Sequence, residues 1–123
     1  MLPKQGRLGN WGEAVAARVL EAQGYEIIEQ NWRCEAGELD LVTRDGEVWV
    51  FVEVKTRRSE EYGMPEEAVT PAKRGRLLML GEAYLAEHGL DHVAWRIDVV
   101  AILADREGTV RRLDIYRNAV ETI

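Results

Sequence analysis

Three carboxylates and a lysine, strung along what reads as one hairpin, constrain this chain more than any other feature. They lie in Gly37-Glu38-Leu39-Asp40 and in Glu53-Val54-Lys55. Between them run Leu41-Val42-Thr43-Arg44, Asp45-Gly46 and Glu47-Val48-Trp49-Val50-Phe51-Val52. Asp-Gly between two β-rich runs is a strong short-range hairpin signal. With Asp45-Gly46 as a two-residue loop, Arg44 pairs with Glu47, Asp40 with Phe51, and Glu38 with Glu53. Side chains alternate faces along a strand, so Glu38, Asp40, Glu53 and Lys55 share one face. Leu39, Leu41, Val50, Val52 and Val54 share the other. Carboxylates that face one another across a strand pair repel. A divalent cation is the usual compensator for clustered hard oxygen ligands.

Acids at alternating positions ordinarily form the solvated face of an amphipathic sheet. Here the run from Val48 to Val52 is almost unbroken in its apolarity, which predicts a strand buried on both faces. Charges at the end of such a strand need partners or a metal. Basic positions are filled mostly by arginine, and only three lysines occur: Lys4, Lys55 and Lys73. A lysine retained on the acidic face suggests a need for a compact ammonium, which a planar guanidinium does not replace.

The chain of 123 residues predicts one domain, 1–123, long enough for a genuine core. Hydrophobic content of 46% and charged content of 31% fit an ordinary soluble protein. No run of about 18 apolar residues predicts a membrane span, and Met1-Leu2-Pro3-Lys4-Gln5-Gly6 lacks the apolar core of a signal peptide. The single cysteine, Cys34, excludes an internal disulfide and a Cys-based zinc site, and reads as a small packing residue. A cytoplasmic location is the expectation. A net charge of −6 weighs against nucleic-acid binding. Two features offset it: several acids belong to the proposed site, and basic residues cluster as Lys55, Arg57, Arg58 and then Lys73, Arg74, Arg76. Glu60, Glu61, Glu66 and Glu67 dilute that cluster, so a solvated charged segment is the competing interpretation.

Periodicity predicts a first helix over Leu8–Gln23 ended by Gly24, with Leu8, Trp11, Val15, Ala16, Val19 and Leu20 on its apolar arc. Glu13 borders that arc instead of opposing it. A first strand over Tyr25–Arg33 precedes the hairpin, and Gly63 and Pro65 mark a loop. Thr70-Pro71 is a cap followed by proline at the first helical position. The second helix runs to about His88 with Leu77, Leu80, Tyr84 and Leu85 on its inner stripe, and Lys73 on that stripe in the first turn. A central fourth strand over Val93–Ile102 and a polar edge strand over Val110–Arg117 follow a crossover, which places strand four parallel to a neighbour.

Asp, then Glu-x-Lys on the next strand of an αβββαβ chain, resembles the PD-(D/E)xK phosphodiesterases, and within them the Holliday-junction-resolvase-like branch. More closely, the chain is similar to the YraN-like bacterial family. The matching residues are Gly9-Asn10-Trp11-Gly12-Glu13-Ala14, Gly24-Tyr25, Asn31-Trp32-Arg33 and Gly37-Glu38-Leu39-Asp40-Leu41-Val42. They continue through Val50-Phe51-Val52-Glu53-Val54-Lys55-Thr56-Arg57, Ala68-Val69-Thr70, Lys73 and Arg96-Ile97-Asp98-Val99-Val100. Leu39 stands before Asp40 where the superfamily name expects proline.

The resemblance implies a restriction-endonuclease-like α/β domain, a mixed sheet of about five strands flanked by helices. It implies a metal-dependent endonuclease acting on DNA, branched or single-stranded. Asp40 and Glu53 would bind Mg2+ or Mn2+, with Glu13 as a further ligand and Glu38 as a supporting acid. Lys55 would position or help deprotonate the attacking water, completing a catalytic set of Asp40, Glu53 and Lys55. Arg33, Arg57 and Lys73 would contact nucleic-acid phosphates. Two other functions stay open: a nucleic-acid-binding or accessory module with little activity, and a structural interaction domain. A homodimer is compatible with any of the three. His88 and His92 flank a helix end with nothing to pair them into a metal site. Trp11, Trp32, Trp49 and Trp95 could stack on bases, but Trp49 and Trp95 lie inside strands, where packing is the default. Asp98 is either a buried acid paired with Arg33 or Arg96, or a border of the site.

Overall fold

A computed structural model of the protein describes residues 4–58 and 70–120. The elements are α1 (Lys4–Ala22), β1 (Glu26–Cys34), β2 (Gly37–Asp45), β3 (Val48–Arg57), α2 (Pro71–Glu87), β4 (Trp95–Ala104) and β5 (Val110–Tyr116). They form one five-stranded sheet in the order β1-β2-β3-β4-β5. Every neighbouring pair is antiparallel except β3 and β4, which run parallel as the α2 crossover demands. This is the mixed α/β architecture of the restriction-endonuclease-like fold. Gly63, Pro65, the acids from Glu60 to Glu67 and the Ala68-Val69 match lie outside the described residues.

Local chemistry sets the helix ends. At the close of α1, Gly24 takes φ +96, the Tyr25 N–H donates to the Leu20 carbonyl at 2.9 Å, and the Gly24 N–H donates to that of Glu21. This is a Schellman closure, and it carries Tyr25 and Leu20 into the same apolar cluster. Thr70 caps α2 by accepting from the Lys73 N–H at 3.3 Å, with Pro71 in the first turn.

Two apolar layers cover the two faces of the sheet. On the α1 side, Ala16, Ala17, Leu20 and Tyr25 pack on Leu41, Val50, Val52, Val54, Val100 and Ile102. On the α2 side, Leu77, Leu80, Tyr84 and Leu85 pack on Trp32, Leu39, Val42, Phe51 and Ile97. Strand β3 therefore has apolar residues on both faces, as the run from Val48 to Val52 predicts.

Two expectations about the hairpin are corrected. Asp45 pairs with Val48, Arg44 with Trp49 and Leu41 with Val52, so the loop is Gly46-Glu47 and not Asp45-Gly46. Gly46 has φ +64 while Glu47 is not among the positive-φ residues. Left-handed backbone at the first loop position alone is the pattern of a type II′ turn, which wants glycine there. The register thus moves by two residues, which keeps the paired residues, Leu41 to Asp45 against Val48 to Val52, on their expected faces. The second correction is Leu39. It packs in the α2-side layer while Leu41 packs in the α1-side layer. Alternation breaks between them, at Asp40, beyond the last ladder pair Leu41 and Val52.

Candidate metal centre and active site

The break at Asp40 has a visible cause. The Val54 N–H, beyond the end of the β2–β3 ladder, donates instead to Asp40 Oδ2 at 2.8 Å. A side chain thus takes a donor that a strand carbonyl would otherwise satisfy, and the two strands part around it. The carboxylate is thereby turned into a cleft of about 490 Å3 that Glu13, Glu38, Glu53, Lys55, Arg33 and Arg57 also line.

Each wall comes from a different element. From α1, Glu13 enters at the margin of the apolar arc and is only 9% exposed. One oxygen each from Glu13, Glu38 and Asp40 lies within 4.8 Å of the others, close enough to share an ion. Glu53 meets Asp40 from β3 through a side-chain hydrogen bond, and its Oε2 stands 3.0 Å from Lys55 Nζ. Glu38 is held by Arg33 Nε at 2.8 Å. Lys73, in the first turn of α2, stands beside Lys55. The acids and bases singled out in the sequence therefore converge. Glu38 stands with Glu13 and Asp40, and Glu53 is shared between Asp40 and Lys55.

The acids of the cleft crowd one another. Burial and the nearby charge of Glu38 push the Glu13 carboxyl up to about 7, although a hydrogen bond from Asn31 partly offsets them. Burial and the charge of Glu53 push Asp40 well above the usual carboxylate range. Burial alone would lower the Lys55 ammonium, but Glu53 more than compensates and raises it. Lys73 is lowered by the neighbouring Lys55 ammonium and by burial. Clustered acids raised in this way favour either protonation or a cation between them. All three converging donors are carboxylate oxygens, a set that fits a hard divalent cation such as Mg2+ or Mn2+ and not a thiolate- or imidazole-loving metal.

Asn31 belongs to the Asn31-Trp32-Arg33 family match but is not among the expected site residues. It lines the cleft, bonds Glu13 and holds φ +55 inside β1. An asparagine within a strand is a weak warning, since Asn is depleted there and tolerates the left-handed region. Asp98 does not border the cleft. It is fully buried and accepts from Tyr25 Oη at 2.7 Å, Arg96 Nε at 2.9 Å and the Asn118 N–H at 2.8 Å. Its partner is Arg96 and not Arg33. His88 stacks on Tyr84 with ring centroids 3.9 Å apart, and Trp32, Trp49 and Trp95 belong to the α2-side layer. Cys34 packs against that layer too. No helix among the described residues is long and apolar enough to cross a membrane.

Fold and cleft together define a restriction-endonuclease-like domain with a carboxylate-lined cleft at a parting of two strands. The chain belongs to the uncharacterised protein family UPF0102, whose model matches residues 12–102. It is 57% identical over 104 residues to a UPF0102 protein of Beutenbergia cavernae, covering 85% of this chain and 88% of that one. A UPF0102 protein of Roseiflexus castenholzii is 54% identical over 104 residues, 83% of each chain. One from Pelotomaculum thermopropionicum is 50% identical over 112 residues, 91% of this chain and 93% of the other.

Proposed function

We propose that this protein is a Mg2+- or Mn2+-dependent endonuclease that hydrolyses phosphodiester bonds in DNA, branched or single-stranded, in the cytoplasm. The observation that carries the proposal is the convergence of Glu13, Glu38 and Asp40 beside the Glu53–Lys55 pair. Asp40, Glu53 and Glu13 would hold the ion, with Glu38 alongside. A bound ion would polarise a phosphoryl oxygen and lower the pKa of its water. The protein's own groups supply the rest. Asp40 is oriented by the Val54 N–H. Lys55, steadied by Glu53, places an ammonium where it can orient the water or meet charge on the phosphate. Lys73, Arg57 and Arg33 stand around the cleft as phosphate contacts.

The test is a panel of linear, single-stranded and branched DNA with each metal, run beside Mn2+ calorimetry. Wild type is expected to bind Mn2+ and to cleave at least one substrate, and Asp40→Ala to do neither. Wild-type protein that binds DNA but cleaves nothing with either metal would replace this proposal with the accessory module.

A further inference from the structure

Two unfavourable choices meet at one point beside the cleft. Gly12 lies within α1, where glycine is a poor helix former. Thr56, one residue after Lys55 on β3, is only 7% exposed, and its hydroxyl is buried with no hydrogen-bond partner. An unmet buried hydroxyl is costly. The two residues are in contact. A methyl group at Gly12 would stand 2.0 Å from Thr56 Oγ1, 3.1 Å from its Cβ and 3.5 Å from its Cγ2. Gly81 in α2 is also crowded, by the rings of Trp95 and Phe51, whereas at Gly75 in the same helix nothing lies within 4 Å of the corresponding position. The bare Cα of Gly12 is what lets α1 come down onto β3 at this height.

The next residue is Glu13. A helix moves as a rigid body over a turn or two, so the Gly12 approach also sets the Glu13 carboxylate. That carboxylate stands at the Asp40 and Glu38 oxygens and takes the Asn31 amide. Rotating Thr56 about χ1 eases a methyl at Gly12 only in the one rotamer that turns Hβ towards it, and a β-branched side chain leaves its preferred χ1 reluctantly.

We infer that the Gly12–Thr56 contact is a positioning pin. It seats α1 on β3 at the height that brings Glu13 to Asp40, so that two residues touching neither ion nor substrate set the affinity of the cation site. This rests on Glu13 acting as a ligand. Supporting groups around a metal site typically change affinity by about 10–100-fold when altered, and the pin belongs in that range.

The experiment measures Mn2+ affinity by calorimetry on folded variants, and the Asn31 side-chain amide resonances without metal. Gly12→Ala is expected to weaken Mn2+ binding by about tenfold or more, comparably to Glu13→Gln, and to move the Asn31 amide as Glu13→Gln does. Adding Thr56→Ala to Gly12→Ala removes the obstructing hydroxyl and should recover most of both losses. Gly75→Ala, a helical glycine with open space, should change neither. A folded Gly12→Ala protein with wild-type affinity and an unmoved Asn31 amide would overturn the pin, as would a folded double variant that recovers nothing. Should Gly12→Ala not fold, Thr56→Val decides. It sets a bulkier methyl against Gly12 and is expected to bind more weakly than Thr56→Ser; equal binding overturns the inference. If wild type binds no Mn2+, the metal assignment fails alone, and the Asn31 amide still decides whether the pin places Glu13.

Discussion

Two groups of buried acids sit in this sheet, and they are treated in opposite ways. At one, Asp98 is fully enclosed and met on every side, by the Tyr25 hydroxyl, the Arg96 guanidinium and the Asn118 N–H. Arg96 reaches on to Asp45 at 2.9 Å, and Arg117 Nε donates to Tyr25 Oη, so the charges form a closed network. At the other, Glu13, Glu38 and Asp40 converge with Arg33 on one flank and Lys55 engaged by Glu53. A satisfied acid builds structure; acids left facing one another are poised for something not part of the chain.

The largest effect expected from this contrast is on stability. Asp98→Ala leaves Arg96 and the Asn118 N–H without their partner and should cost about 3–5 kcal/mol, measured by urea unfolding. Asp40→Asn should leave the metal-free protein as stable as wild type or more so, because a neutral amide still accepts from the Val54 N–H and can never carry a charge into the buried cluster. If the two substitutions destabilise equally, the distinction between the two acid groups is broken.

Catalysis comes next. Lys55→Ala is expected to slow single-turnover DNA cleavage by about 10²–10³-fold while leaving Mn2+ binding largely intact. Lys55→Arg should rescue poorly, since a guanidinium does not substitute for an ammonium aimed at one oxygen. A Lys55→Ala protein that cleaves as fast as wild type would remove Lys55 from the chemistry.

The smallest effect is pH-dependent. Glu13 sits at about 7 in the fold against 4.5 when unperturbed. A carboxyl raised by folding contributes stability that is present below its unfolded value and lost as pH rises through its folded one. With chelator present, wild type should lose on the order of 2 kcal/mol relative to Glu13→Gln between about pH 5 and pH 8, given about 1.4 kcal/mol per unit and some sharing among coupled acids. Saturating Mn2+ should reverse the trend, since binding to the folded state adds stability. A gap between the two proteins that does not change with pH would show that Glu13 is not held in this way.

Much of the fold and cleft was legible in the sequence. Both helices, all five strands and the existence of a parallel neighbour for β4 follow from periodicity, caps and element order; which strand that neighbour is does not. The shared placement of Asp40, Glu53 and Lys55 survived a wrong turn assignment because the true register differs by two residues and faces repeat every two. Glu13 was visible from its place at the edge of the apolar arc. Leu39 was not, because alternation assumes an unbroken ladder, and the Asp40–Val54 bond ends it. Nor was the Gly12–Thr56 contact, which depends on how α1 meets β3 and leaves no local pattern, while Asn31 left only the weak warning of an asparagine inside a strand. Asp98 could be suspected as a buried acid, but its choice of Arg96 over Arg33 is a matter of three-dimensional neighbours.

The parallel pairing of β3 with β4 carries a consequence for synthesis. Every acid of the cleft and its lysine have left the ribosome once residue 55 has emerged, yet one edge of β3 has no neighbour until Trp95–Ala104 follows. In the interval the nascent chain offers a long, apolar, unpaired strand margin, the kind that recruits other chains. The protein thus carries its chemistry early and its protection late, and a chain cut short between α2 and β4 would be expected to aggregate even though its cleft residues are all present.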